Sequence, residues 1–405
     1  MADFFQNGLV PTLADLGDRS LEDLESELVE WSADQPMALV IPSLFSELER
    51  PALSAIVDQL VEVPYLNEIV IGLDRADEAQ FRRAKEFFSR LPQRHRILWN
   101  DGPRLRQLDA ALHTEGLAPP EPGKGRNVWY CLGYVLASGR SKAIAMHDAD
   151  IVTYDRRMLA RLFYPIVHPT FDYAFCKGYY YRAADGRMNG RAMRLLVTPL
   201  IRALRATLGP NDVLDYLDSF RYSLAGEQSM RLDVAKMVRI PADWGLEIGL
   251  LTEVHRHYTT RRICQVEIAG AYDHKHQDVA EDDPGAGLNR MATDISKAIF
   301  RKLATKGAVL SPEVFRTVKA AYYRSALDMV DRYQDVATIN GFDYDRHREE
   351  ATVELFASAV MRAGHHFLAN PMETPFLASW SRVASALPEV LHGLDDAVEA
   401  DAADE

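Results

Sequence analysis

Between Met37 and Met146 short apolar runs alternate with stretches of helical spacing. The run Met37 to Leu44 (MALVIPSL) is apolar almost throughout and closes on Pro and Ser, as a strand buried on both faces of a mostly parallel sheet does. Helical spacing follows from Pro51 to Val61. Glu68 to Asp74 (EIVIGLD) predicts a second strand, and the amphipathic stretch Asp77 to Arg90 a second helix. The order continues with a strand at His95 to Asn100, a helix from about Arg104, a helix from Asn127 to Ser138 and a strand at Lys142 to Met146; Ile263 to Ala269 predicts one more strand. Such alternation predicts an α/β sheet with helices on both faces.

Beyond residue 285 the pattern changes to long helical periods, Met291 to Lys306, Pro312 to Tyr333 and Tyr344 to Ala363, which predict a helical region packed on the core or on a second subunit. A single core stops growing at roughly 250–300 residues. The chain of 405 residues therefore divides into an N-terminal helical extension (1–36), an α/β domain (37–285), a helical C-terminal region (286–394) and an acidic, frayed tail (395–405).

Composition narrows the class. With 47% hydrophobic and 26% charged residues the chain matches a soluble globular protein. A net charge of −13 with dispersed Lys and Arg excludes general nucleic-acid binding, so an anionic substrate requires a local basic pocket. Three cysteines, Cys131, Cys176 and Cys264, lie far apart inside apolar stretches and offer neither a disulfide framework nor a CxxC metal site. No apolar run approaches the ~18–20 residues of a membrane span, and Met1 to Val10 lacks a basic segment followed by an apolar one, so the expected location is the cytoplasm, away from membranes.

In open α/β sheets ligands bind beyond the carboxyl ends of the strands. That rule groups Pro42 to Glu47, Asp74 and His147 to Asp150. In Asp148-Ala149-Asp150, two carboxylates at i and i+2 where a strand frays into a loop can reach one hard divalent cation that also holds a diphosphate. Asp273-His274-Lys275-His276 follows the strand ending at Ala269; His274 can complete the metal shell, and His276 is a second-shell or acceptor candidate. Gly123-Lys124-Gly125-Arg126 leads into a helix, where close backbone approach, a helix N-terminus and a compact cation suit a pyrophosphate. Asn189-Gly190-Arg191 opens a helix running towards Ala203, and its Arg can grip a phosphate or carboxylate bidentately. Glu247, in Trp244-Gly245-Leu246-Glu247-Ile248-Gly249, is an acid in an apolar helix start, either a cap or a paired or functional group.

The ordered set of Pro42-Ser43-Leu44, Gly123-Lys124-Gly125, Asp148-Ala149-Asp150, Gly190-Arg191 before LLVTPL, Gly226-Glu227 before SMR, Gly245 to Leu251 and Asp273-His274 resembles the glucosyl-3-phosphoglycerate and mannosyl-3-phosphoglycerate synthases over residues 37 to 280. The resemblance implies a GT-A fold, a Rossmann-like nucleotide-sugar-binding mixed sheet flanked by helices. It implies a retaining transferase that uses an NDP-sugar (UDP- or GDP-glucose, or GDP-mannose), Mg²⁺ or Mn²⁺, and 3-phosphoglycerate or glycerate as acceptor, as a homodimer. By the same resemblance Asp150 and His274 bind metal, and Asp148 contacts the donor ribose or metal region. Pro42, Ser43, Leu44, Glu47 and Asp74 surround the nucleoside, Lys124 holds the diphosphate, Gly190 and Arg191 hold the acceptor, and Glu247 sits near the reacting sugar. Two positions depart from the family pattern: Met193 replaces a hydroxyl residue after the acceptor Arg, and Phe45-Ser46-Glu47 replaces an acid pair.

A retaining transfer of this kind needs no protein nucleophile, because the departing diphosphate can take the acceptor's proton while metal and Lys124 stabilise its charge. The alternatives are a non-catalytic nucleotide-sugar-binding protein on the same scaffold and a metal-dependent nucleotide-sugar hydrolase.

Overall fold

The computed structural model describes residues 6, 8–17, 19–274, 287–371 and 376–404. Its strands, in chain order, are β1 (Thr12–Leu13), β2 (Met37–Leu44), β3 (Leu66–Asp74), β4 (Arg94–Trp99), β5 (Ala143–Met146), β6 (Phe175–Tyr180), β7 (Ala183–Ala184), β8 (Arg187–Met188), β9 (Gln228–Arg231) and β10 (Ile263–Ala269). Eight of them form one sheet in the order β1-β10-β6-β9-β5-β2-β3-β4, and β7 and β8 form a small hairpin. All neighbours in the large sheet are parallel except β9, which runs antiparallel to both β5 and β6. This is the mixed GT-A sheet.

Local chemistry explains the central strands. β2 is buried along nearly its whole length, which is why its run is apolar without alternation. Pro42 is tolerated there because β5 ends opposite Val40, so no neighbour on that side is denied a hydrogen bond. The strand β9 was not anticipated, and its direction matters. Because it is antiparallel, its first residues lie at the carboxyl ends of β5 and β6, with Gln228 opposite Met146, and they deliver Gly226 and Glu227 to the ligand edge.

Helices Pro51–Val61 and Glu78–Phe88 fall where the periodicity puts them, the second capped by Asp77 through a reciprocal Asp77–Gln80 box. The helix expected from Asn127 begins a turn earlier, at Lys124, and ends at Ser138 before Gly139 in the left-handed region. Lys124 is thus the first helical residue, not part of a preceding loop. Gly125 permits close packing there, since a Cβ would lie 2.2 Å from the Pro241 carbonyl oxygen. The segment expected to be an N-terminal helical extension also contributes β1, which extends the sheet beside β10.

Helices Gly287–Thr305, Pro312–Asn340 and Arg346–Ala369 pack against one another and against the helix Thr198–Leu208, in one apolar core with one face of the sheet. The Tyr322 hydroxyl donates to the Leu195 carbonyl at 2.6 Å across that seam. Among the described residues no helix is long and apolar enough to cross a membrane.

The expected frayed tail is instead a helix, Val390–Ala403, docked on edge strand β4. Glu399 accepts from Arg96 Nη2 at 2.7 Å and from the Tyr134 hydroxyl at 2.9 Å, and pairs with Arg94. Arg104 pairs with Asp401, and Lys85 Nζ donates to the Ala402 carbonyl at 3.1 Å, a cation at a helix C-terminus. Acidic composition reads as solvation only until basic partners on β4 are brought to it. Burial opposes ionisation of Glu399, but Arg96, Tyr134 and Arg94 outweigh it and hold its pKa at about 2, below the ordinary 4.5. A depressed carboxyl pKa stabilises the fold above the unfolded value, and that contribution disappears as pH falls through the folded value. Glu399→Gln should lower Tm at pH 7 on the order of 2 °C, with the gap to the wild type closing between about pH 5 and pH 2. Calorimetric melts across that range check it; coincident melts at pH 7 would show that the contact adds nothing.

Candidate active site

The carboxyl ends of β2, β3 and β5 and the start of β9 open into a cleft of about 1240 Å³, walled on its far side by the C-terminal helices. At the end of β5, His147 is buried, its Nδ1 against the Asp148 carbonyl oxygen at 2.9 Å and its ring against Tyr154 at 4.9 Å. Burial pushes its pKa down to about 4, so the ring is neutral and pins the turn.

The two aspartates that follow turn to different partners, contrary to the expectation that both face one cation. Asp148 Oδ1 lies 2.7 Å from Lys124 Nζ, which also lies 3.2 Å from Glu247 Oε1. Burial opposes charge on both Lys124 and Asp148. The ion pair outweighs it, lowering the Asp148 pKa and raising that of Lys124, with Glu247 adding to the lysine's shift. Gly226 leaves room for the arrangement, since a Cβ there would lie 2.6 Å from Asp148 Oδ2. Glu247 is the second residue of the helix Leu246–His257, so the first turns of two helices meet at one ammonium.

Asp150 turns instead to His274, with Oδ2 and Nδ1 3.9 Å apart. Their loops are stitched by a bridge between Ile151 and His274, by Val152 N–H donating to the Asp273 carbonyl at 2.8 Å, and by Asp273 N–H donating to Thr153 Oγ1 at 3.0 Å. Among the described residues no group of three or more His, Cys, Asp or Glu converges on one point. One carboxylate and one imidazole nevertheless suit a hard divalent ion that draws its remaining ligands from a diphosphate and water.

Beneath this pair lies Glu227, which carries no role in the sequence reading although Gly226-Glu227 belongs to the resemblance. It accepts from the Tyr272 hydroxyl at 2.6 Å and the Tyr180 hydroxyl at 2.8 Å, whose rings stack at 3.7 Å. Burial, then the neighbouring Asp148 charge, raises its pKa. The network fixes Tyr272, two residues before His274. Arg182, also missed, follows the aromatic run Tyr179 to Tyr181 and meets His274 Nε2 through Nη1.

At one end of the cleft lie Pro42, Ser43, Leu44, Glu47 and Asp74. Burial raises the Asp74 pKa although Asn100 Nδ2 donates to its Oδ1 at 2.7 Å. At the other end, Gly190 adopts φ 73°, and Arg191 follows. The helix expected here begins as a wide π-helical segment, Ala192–Val197, before the α-helix Thr198–Leu208. Arg191 Nε donates to Glu349 Oε1 at 2.9 Å and Arg194 Nη1 to Glu349 Oε2 at 2.7 Å, so an acid of the C-terminal region holds both arginines. Arg348, Tyr344 and Asp345 line the same end. Met193, where the family pattern has a hydroxyl, is turned into the core. His276 lies outside the described residues.

No protein-family model matches the chain. Glucosyl-3-phosphoglycerate synthase of Persephonella marina is 44% identical over 405 residues, all of both chains. The enzyme of the same name from Methanococcoides burtonii is 38% identical over 385 residues, 94% of each. Among solved structures, glucosyl-3-phosphoglycerate synthase from Mycobacterium tuberculosis, in complex with Mn²⁺, UDP-glucose and phosphoglyceric acid, superposes with a TM-score of 0.54 at 18% identity, covering 73% of this chain and 88% of that one. Mannosyl-3-phosphoglycerate synthase from Rubrobacter xylanophilus gives 0.55 at 18%, covering 75% and 83%. At this identity the structural likeness concerns the fold.

Proposed function

The chain belongs to the glucosyl-3-phosphoglycerate synthase family, and from that premise we propose that it transfers glucose, with retention, from a nucleoside-diphosphate glucose to the free hydroxyl of 3-phosphoglycerate, as a cytoplasmic homodimer. UDP-glucose is the favoured donor, being the one in the complex of the M. tuberculosis enzyme. The observation that carries the reading is that Lys124, Asp148, Asp150, Glu247 and His274 line one cleft together with Pro42 to Leu44, Glu47 and Asp74 and with Arg182 and Arg191.

In this reading Pro42, Ser43, Leu44, Glu47 and Asp74 enclose the nucleoside. Asp150 and His274 would hold Mg²⁺ or Mn²⁺, which when bound would supply positive charge to the donor diphosphate. Lys124, already charged and fixed by two carboxylates, adds a preorganised cation beside it. Asp148 and Glu247 keep that ammonium in place and present carboxylate oxygens to the sugar hydroxyls. Arg191, steadied by Glu349, binds the acceptor's anionic end, and Gly190 allows its backbone to approach. The acceptor hydroxyl then attacks from the face the diphosphate leaves, and its proton passes to a diphosphate oxygen, so no side-chain nucleophile is called on.

A matrix of UDP-glucose, GDP-glucose and GDP-mannose against 3-phosphoglycerate and glycerate, read by NMR, tests this. An α-linked glucosyl-3-phosphoglycerate product is expected. Transfer from GDP-mannose alone, free sugar without acceptor, or donor binding without transfer would each overturn the assignment.

A further inference from the structure

Arg182 stands between the His274 loop and the Gly190 turn. Its carbonyl accepts the Asn189 N–H at 2.8 Å, and its Cβ and Cγ lie 3.3 Å from where a Gly190 Cβ would be. Its guanidinium lies over the Tyr272 ring at 5.6 Å and reaches His274 Nε2. A guanidinium only donates, so Nε2 is the acceptor; a neutral imidazole has one lone pair, which leaves the proton on Nδ1, the nitrogen facing Asp150. A ring in this state has nothing to offer a cation. Ligation through Nε2 needs the place that Nη1 occupies. Ligation through Nδ1 sends the proton to Nε2, where it meets another donor. By either route, cation and Arg182 exclude each other at His274.

The displaced guanidinium has a destination. Arg182, Asn189, Gly190 and Arg191 line the same end of the cleft, and Arg182 Nε is buried without a hydrogen-bond partner among the described residues. We propose that Arg182 is an acceptor-binding residue parked on His274, released to the acceptor's carboxylate or phosphate when a divalent cation takes the imidazole. Cation and acceptor then bind with positive coupling, which by linkage is the same in both directions. The inference rests on the reading of Asp150 and His274 as metal ligands and of the Gly190 end as the acceptor site.

The test measures Mn²⁺ binding in the presence of UDP, from the electron paramagnetic resonance of the free ion, and 3-phosphoglycerate binding by calorimetry. Arg182→Ala should bind Mn²⁺ about fivefold tighter or more, because a competitor is gone, and 3-phosphoglycerate about tenfold weaker. Arg182→Gln, which loses the charge but keeps a polar side chain, should move both in the same directions. In the wild type, Mn²⁺ should raise acceptor affinity by about fivefold or more, and in Arg182→Ala that gain should largely vanish. Unchanged or weaker Mn²⁺ binding in both variants, or wild-type acceptor affinity indifferent to Mn²⁺, would overturn the proposal. The manganese measurement needs no acceptor. A wild-type chain that ignores 3-phosphoglycerate while the variants tighten on Mn²⁺ would reject the proposed acceptor and uphold the competition at His274.

Discussion

Asp150→Ala should cut sugar transfer by about 10³-fold or more while the chain melts close to the wild-type temperature. The carboxylate stands at the fraying end of β5, part-exposed, and faces His274 at 3.9 Å. On the proposed reading its removal takes away an oxygen donor for the cation, while the strand and the buried Glu227–Tyr180–Tyr272 network are untouched. Asp148 makes a less clean target, because its loss would also strip Lys124 of a partner. Initial rates at saturating Mn²⁺ with a thermal melt of the same preparation decide the matter. Wild-type turnover that still depends on metal would remove Asp150 from the cation.

The second large effect is expected at the opposite end of the cleft. Arg191→Ala should raise the acceptor KM by about 10²-fold with the donor KM nearly unchanged, since on the proposed reading the side chain belongs to the acceptor end of the cleft. The fold should survive, because Arg194 continues to satisfy Glu349 at 2.7 Å and keeps the acid from being buried without a partner. Steady-state kinetics with each substrate varied in turn provide the check. Equal changes in both KM values would place Arg191 outside the acceptor end.

What could be read in the residues follows from what each is surrounded by. β2 is legible, with its bounds, because burial on both faces leaves a nearly unbroken apolar run, and β10 is legible too, since Gln265 and Glu267 interrupt its apolar positions without hiding them. β6 (FCKGYY) and β9 (QSMR) are not, because both are short and mixed in composition, and each is held by neighbours remote in sequence. The direction of β9 has no local signature at all.

The site divides the same way. The strand-end rule and the resemblance gather the cleft residues, since strand ends are marked by the runs themselves. Which side chain meets which is a tertiary matter. Asp148, after β5, pairs with a lysine at the start of the helix Lys124–Ser138, Glu349 reaches Arg191 from the C-terminal region, and Arg182, after β6, meets His274, after β10. No spacing rule contains those meetings. The acidic tail misleads for the same reason, its counter-charges being on β4 and the helix Pro103–Thr114.

The contact between Glu399 and Arg94 joins residues 305 positions apart. A ribosome adding 5–20 residues per second needs roughly 15–60 s to span that interval. During that wait β4 stands as the edge of the sheet with Arg94 and Arg96 lacking their carboxylate partner. The helix Val390–Ala403 therefore completes charge pairs on β4 that stand open until it is made, and a fusion that delays or blocks its docking should be felt as lost yield before it is felt as lost activity.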